Sequence, residues 1–187
     1  RAERTNGGAR VTWSLIDNDA DVAKVLDAHQ NHACVAIDTE FRRRDTFYPQ
    51  VALLQLCWGE EAFLVDPLGL DNLEPLRQLL TNVNQIKMVH SASEDLEVFM
   101  RWLGVLPSPL FDTQLAAAFL GMDFSMGYSR LVSELLQIDL PKDETRSDWL
   151  QRPLSAAQVE YAARDAQHLA ELYRIMAPRL EAAGLTD

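Results

Sequence analysis

A chain of 187 residues, 48% of them apolar, suffices for one well-packed domain and falls short of two typical ones. Its 17 Lys+Arg against 28 Asp+Glu leave a net charge of -11, which argues against holding nucleic acid by bulk attraction, so a polyanionic partner must be bound locally. No apolar run approaches membrane-spanning length and no secretory leader is visible, while Cys34 and Cys57 lie in apolar, strand-like runs without metal-finger spacing; a cytoplasmic protein with no membrane partner is expected.

In chain order, the first ten residues, "RAERTNGGAR", are expected to be an unstructured lead-in or, lacking an initiator Met, an expression remnant. A short strand over 12–16 precedes "NDADVAKVLDAH", where Val22, Val25, Leu26 and His29 recur at helical spacing behind acids in the first turn. Strands over 34–40, 51–57 and 62–65 follow, the last two joined by a short turn around Gly59, and together they predict a meander. Asp71 and Glu74 have the spacing of a capping box, ahead of a helix that faces inward through Leu73, Leu76 and Leu80. "IKMVH" reads as another buried strand. From Ser91 a helix runs to Gly104, a left-handed C-cap, with Leu96, Phe99, Met100 and Leu103 as its core face. Beyond the Pro107 and Pro109 loop, "FDTQLAAAFLG" and "GYSRLVSELLQ" predict two more helices. A charged loop, "DLPKDETRSDW", leads to the last and longest helix, opened by a Ser155 and Gln158 capping box, fading near Gly184 and kinked by Pro178. Strands first, mixed units next and helices last is the layout of an α/β fold, a mixed sheet flanked by helices on both faces.

Strand alternation puts Cys34, Ala36, Asp38 and Glu40 on one face and Val35, Ile37, Thr39 and Phe41 on the other. Two carboxylates one pleat apart repel each other and resist desolvation unless cations or donors meet them. A divalent metal would meet them well; a strand end that has reached solvent fits the pair too. Asp95, in the first turn of the helix after "KMVH", either complements the helix dipole or joins a site. Tyr161 and Asp165 lie four apart on the last helix and point the same way, beside the stripe Ala162, Ala166, Leu169, Tyr173 and Met176. Alone, they read as a surface tyrosine over an acid. What no separate explanation covers is the set: two acids at a strand end, one at a helix start, and a Tyr with an Asp on the closing helix.

"AIDTEF", "HSASEDLEVF", "FDTQLAAAF" and "DWLQRPLSAAQVEYAARDAQHL" occur in this order over about residues 35–172, and together they resemble the exonuclease domain of ribonuclease D. The resemblance implies a ribonuclease-H-like fold and the tyrosine branch of the DEDD exonucleases. It implies that Asp38, Glu40, Asp95 and Asp165 hold two divalent ions, Mg²⁺ or Mn²⁺, and that Tyr161 positions the attacking water. Asp38 is then expected to bridge both ions, with Glu40 and Asp165 mainly on the water-activating one and Asp95 helping to hold the other, partly through waters. Carboxylates suit hard cations, and a phenol of pKa about 10 orients water better than it deprotonates it.

The same resemblance suggests substrate contacts, each with a plainer alternative. Phe41 would lie against the sugar or base at the 3' end, or be a core aromatic. Arg42, Arg43 and Arg44 would line the phosphate entry, or form a solvated edge. His90 would contact the terminal nucleotide, or be buried and hydrogen-bonded. Arg146, Trp149, Arg152 and Pro153 would place the Tyr161 helix, and His168 is taken as structural, on the helix surface. The activity implied is 3'-to-5' hydrolysis of RNA with a single-stranded 3' end to nucleoside 5'-monophosphates, with tRNA precursors among the substrates and no obligate protein partner. A DNA exonuclease of the same family, an RNA-binding module lacking turnover and a structural domain with solvated acids are the alternatives. Ribonuclease D proteins usually continue into helical HRDC modules, whereas this chain stops at Asp187; an excised catalytic domain or a short family member, spanning 11–187, is therefore expected.

Overall fold

The apolar runs form the centre of a mixed sheet, in a computed structural model that describes residues 2–4, 11–43, 48–140 and 147–185. In chain order the elements are β1 (Ala2–Arg4), β2 (Val11–Ile16), α1 (Asp19–His29), β3 (Cys34–Arg42), β4 (Gln50–Cys57), β5 (Glu61–Val65), a 3-10 turn (Pro67–Gly69), α2 (Glu74–Thr81), β6 (Ile86–Val89), α3 (Ser93–Trp102), β7 (Leu110–Asp112), α4 (Thr113–Phe119), α5 (Tyr128–Leu136) and α6 (Ala156–Ala182). Their spatial order is β1-β2-β5-β4-β3-β6-β7. β3, β4 and β5 make the expected antiparallel meander, while β2 runs parallel to β5 and β6 parallel to β3. Paired along both edges and covered on both faces, β3 buries Val35, Ala36 and Ile37 completely, which is why its sequence reads as a continuous apolar run.

Two helical layers cover the sheet. On one face α1, α2 and α3 set Val22, Leu76, Leu80 and Phe99 against Val35, Ile37, Leu54 and Leu56. On the other, α6 packs Ala162, Ala163, Ala166 and Leu169 against Ala36, Leu53, Cys57, Leu64 and Met88. The alternation that separates Ala36 from Ile37 also carries Asp38 to the α6 face and Thr39 to the opposite one. Farther along, α6 buries Leu172, Met176 and Leu180 against α4 and α5, so its apolar surface is wider than a single stripe. The Ser155 and Gln158 capping box forms as expected, each side chain bonding the other's backbone N–H at 3.1 and 2.9 Å.

Several local expectations are corrected. Residues 2–4, assigned to the lead-in, form β1, antiparallel to β2; three residues are too few for a period-2 pattern, though the Asn6-Gly7 pair between the two strands is a hairpin signal. Asp71 and Glu74 form no capping box. Instead the Asp71 and Asn72 N–H groups donate to Asp19 at the start of α1, and Asn72 Oδ1 accepts from Glu74 N. α3 begins at Ser93, and its inner face uses Val98 where Met100, 46% exposed, was expected. Gly104 does adopt the left-handed conformation, at φ 72°. Asp112 ends a short strand, β7, paired parallel to β6, and caps α4 through Gln114 N at 2.8 Å. Helical periodicity over "FDTQLAAAF" hid that strand because a three-residue edge strand has no period of its own. α6 continues through Pro178 to Ala182.

A buried lysine anchors β6 to the chain segments around its start. Lys87 on β6 has no exposed surface, and its Nζ donates to the carbonyls of Asn82, Gln85 and Ser108 at 2.5, 2.7 and 2.7 Å. Three acceptors match the three donors of an ammonium, so the charge is buried without being orphaned.

Candidate active site

The strand end that carries Asp38 and Glu40 lies beneath α6. Small residues on that helix, Ala162, Ala163 and Ala166, let it approach the sheet closely, and Asp165, 6% exposed, is carried down onto the strand acids. One ligand atom each from Asp38, Glu40 and Asp165 lie within 4.8 Å of one another. What acts on these groups is burial and each other. Asp38 is pushed up to about 7 by burial and then by Asp165, while Asp165 is raised by burial to about 7. Glu40 is raised well above the carboxylate range, first by burial and then by Asp38, Asp165 and Asp95. Three oxygen donors that are unfavourable together and relieved by added positive charge fit a hard divalent cation.

Asp95 adjoins this trio from α3. It is 9% exposed, and the Thr39 hydroxyl, between the two strand acids in sequence, donates to its Oδ1 at 2.5 Å. Burial, then Asp38, raises its pKa to about 8. The helix that carries it is held by Asp112, whose carboxylate accepts from the N–H groups of Ser91 and Ala92 at 3.0 and 2.9 Å. One aspartate thus ties the starts of α3 and α4 to the end of β7. The structure gathers three of the four expected acids within 4.8 Å and sets the fourth beside them.

Tyr161, one turn before Asp165, sets its hydroxyl near enough to that carboxylate to oppose the rise in its pKa and packs its ring 6.0 Å from Trp149, centroid to centroid. Burial and then Asp165 raise the phenol far above its ordinary value, so it stays protonated. Trp149 is 3% exposed in the core beneath α6. Arg152 anchors the segment leading into α6: its guanidinium grips Asp66 at 2.5 and 2.8 Å and donates to the carbonyl of Ala52 at 2.7 Å. Ala52 is the extra residue where the β3–β4 register shifts after Glu40, so the arginine takes up a carbonyl beside the bulge.

The remaining candidates are dispersed. Phe41 is partly buried just past the register shift, and Arg42, paired with Gln50, is exposed at the end of β3. Arg43 is ion-paired with Glu97 on α3. Arg44 and Arg146 lie outside the described residues. His90 is partly buried, and its Nδ1 lies 2.9 Å from Thr113 Oγ1, whose own proton goes to Val89 O. Burial lowers the ring's pKa. His168, expected on the helix surface, is partly buried, with Nδ1 enclosed; α6 is covered on more than one side there.

Two further side chains meet the site without having been foreseen. Tyr128 Oη, at the start of α5, donates to the backbone carbonyl of Asp165 at 2.5 Å, and its ring sits edge-on to His90. Gln55 on β4 pairs directly with Asp38 across the sheet and is completely buried. Gln55 carries a signal of its own, a polar residue interrupting the apolar run "VALLQLC"; Tyr128 carries none.

Comparison with known proteins narrows the chemistry. A family model described as 3'-5' exonuclease matches residues 14–181. The chain is 54% identical over 170 residues to a ribonuclease D of Pseudomonas paraeruginosa, covering 91% of this chain and 45% of that protein. The crystal structure of Escherichia coli RNase D, described as an exoribonuclease involved in structured RNA processing, superposes with a TM-score of 0.90 at 41% identity, covering 94% of this chain and 47% of that one. NrnC of Brucella melitensis, solved with bound Mg²⁺, gives a TM-score of 0.78 at 29% identity, covering 94% and 85% of the two chains. The chain spans about half the length of the ribonuclease D relatives it matches. Among the described residues, no helix is long and apolar enough to cross a membrane.

Proposed function

We propose, from the premise that this chain belongs to the 3'-5' exonuclease family, that it hydrolyses RNA from a single-stranded 3' end and releases nucleoside 5'-monophosphates with the help of two divalent ions. The observation that carries this is the meeting of Asp38 and Glu40, from a strand end, with Asp165, from the closing helix, within 4.8 Å. RNA is favoured over DNA by the ribonuclease D relatives, at 54% and 41% identity. Structured RNA is what the E. coli protein is described as processing, and tRNA precursors are the substrates we infer. Mg²⁺ or Mn²⁺ would be held, since both are hard ions that prefer carboxylate oxygen and NrnC binds Mg²⁺.

When bound, the ions supply the positive charge an anionic phosphodiester lacks, acidify the attacking water and stabilise the leaving 3'-oxygen. Asp38, Glu40 and Asp165 would hold them, with Asp95 beside the trio as a further ligand. Tyr161 keeps its proton at neutral pH, so it orients the attacking water without removing a proton from it. Phe41 and Arg42, where β3 leaves the sheet, would meet the terminal nucleoside and its phosphates, with His90 as a further contact. The unit doing this work would be residues 11–187, in the cytoplasm, where the unpaired Cys34 and Cys57 would stay reduced.

The test is a degradation assay on 5'-labelled single-stranded RNA and a matched DNA oligomer, with and without chelator, for the parent and Asp38→Asn. Stepwise shortening of RNA from the 3' end, abolished by chelator and by the substitution, is expected. Faster loss of the DNA would move the activity to DNA. Retained RNA binding with no metal-dependent product would make the protein a binding module.

A further inference from the structure

Gln55 has no exposed surface, and neither its Nε2 nor its Oε1 has a hydrogen-bond partner. Buried side-chain amides are nearly always bonded, so an orphaned one in the middle of a sheet calls for a cause. Packing does not provide one. Its same-face neighbours on β4, Leu53 and Cys57, are apolar and buried, and a Leu or Met at 55 would fill the space with no stranded polar atoms.

Register shows where the carboxamide goes. Gln55 is paired with Asp38 and Leu53 with Glu40, so Gln55 and Glu40 are diagonal neighbours on the face beneath α6, a separation long side chains span. A carboxylate only accepts, so the end that meets it is Nε2–H.

We propose that Gln55 is a positioning residue for the metal centre: once a cation keeps Glu40 ionised, the unpartnered Nε2–H of Gln55 bonds the Glu40 carboxylate and holds it turned towards Asp38 and Asp165, so that the three oxygens stay gathered on the ion. This rests on the two-metal reading above and deepens it. Without such a donor, Glu40 would be driven outward by the two aspartates it faces. Such a bond is strong, because hydrogen bonds to charged acceptors are shorter and stronger than neutral ones.

The experiment titrates Mn²⁺ into the whole chain, reading the free ion by its paramagnetic resonance signal, and records metal-free melting. Parent, Gln55→Met, Gln55→Leu and Cys57→Ala are compared, the last loosening the same face of β4 without removing a group near Glu40. Both Gln55 variants should bind Mn²⁺ about 10-fold or more weakly, with metal-free melting equal to or above the parent's. Cys57→Ala should melt lower and keep the parent's Mn²⁺ affinity. Unchanged affinity in the Gln55 variants, or equal weakening in Cys57→Ala, overturns the assignment while leaving the metal site standing. Absence of Mn²⁺ binding by the parent overturns both.

Discussion

Thr39 donates its hydroxyl to Asp95 at 2.5 Å, which fastens α3 to the central strand between its two acids in sequence. The bond lowers a carboxylate that burial and Asp38 push up to about 8. Thr39→Val removes the donor at nearly constant volume and leaves Asp95 buried with one partner fewer. A stability loss of about 1–2 kcal/mol in denaturant unfolding and a roughly tenfold slower initial rate are expected, with Thr39→Ser close to the parent.

Asp38→Asn should separate catalysis from folding. It removes one charge from a crowded set, so the metal-free protein should melt at or above the parent temperature while turnover falls by about 10³-fold or more. Melting curves and initial rates on the same preparation check this. A folded variant with near-parent activity would remove Asp38 from the centre.

Tyr161→Phe deletes the hydroxyl beside the Asp165 carboxylate. The hydroxyl holds the Asp165 pKa down, so its loss should move the acidic limb of the pH–rate profile upward. We expect the rate at neutral pH to fall about 100-fold with Mn²⁺ binding retained. Loss of metal binding in this variant would assign the tyrosine a different role.

Metal-free stability should fall as pH rises. Asp38, Asp95 and Asp165 have folded pKa values of about 7, 8 and 7, above the unfolded range, so the folded state binds more protons between about pH 4 and pH 8. Their contribution is complete below the unfolded values and is lost as pH passes through the folded ones. A drop in melting temperature on the order of 5 °C from pH 5 to pH 8 is expected, reversed by millimolar Mg²⁺ or Mn²⁺. A flat metal-free profile over that range would contradict the crowding of the acids.

Arg152 should behave oppositely to Asp38. Its guanidinium holds Asp66, with side chains 26% and 12% exposed, and also the Ala52 and Trp149 carbonyls. Arg152→Met leaves a largely buried carboxylate and a bulge carbonyl without their donor, and a loss of about 2–4 kcal/mol is expected. Activity should decline with the folded fraction, and Arg152→Lys should restore only part of the stability because an ammonium cannot make the two-pronged contact.

Much of this was legible in the chain because alternation and helical periodicity are local. Asp38 and Glu40 facing one way, Thr39 the other, and Tyr161 beside Asp165 follow from backbone geometry within one element, as does the Ser155 cap. Met100 was misplaced because residues on either side of a helical stripe differ by small rotations, and only the neighbouring layer selects which are covered. β7 escaped because it is too short to show a period.

By itself, then, the amino-acid order determined the faces on which the acids project and the chemistry of the groups present. Register and the neighbours outside the meander were decided only in three dimensions: that Gln55 stands opposite Asp38, that β6 runs beside β3, that Thr39 meets Asp95, and that Tyr128 reaches the carbonyl of Asp165. The reason is physical. A residue's face is set by torsions near it, whereas its partner is set by the competition of whole layers for apolar contact, a quantity no short stretch of chain contains.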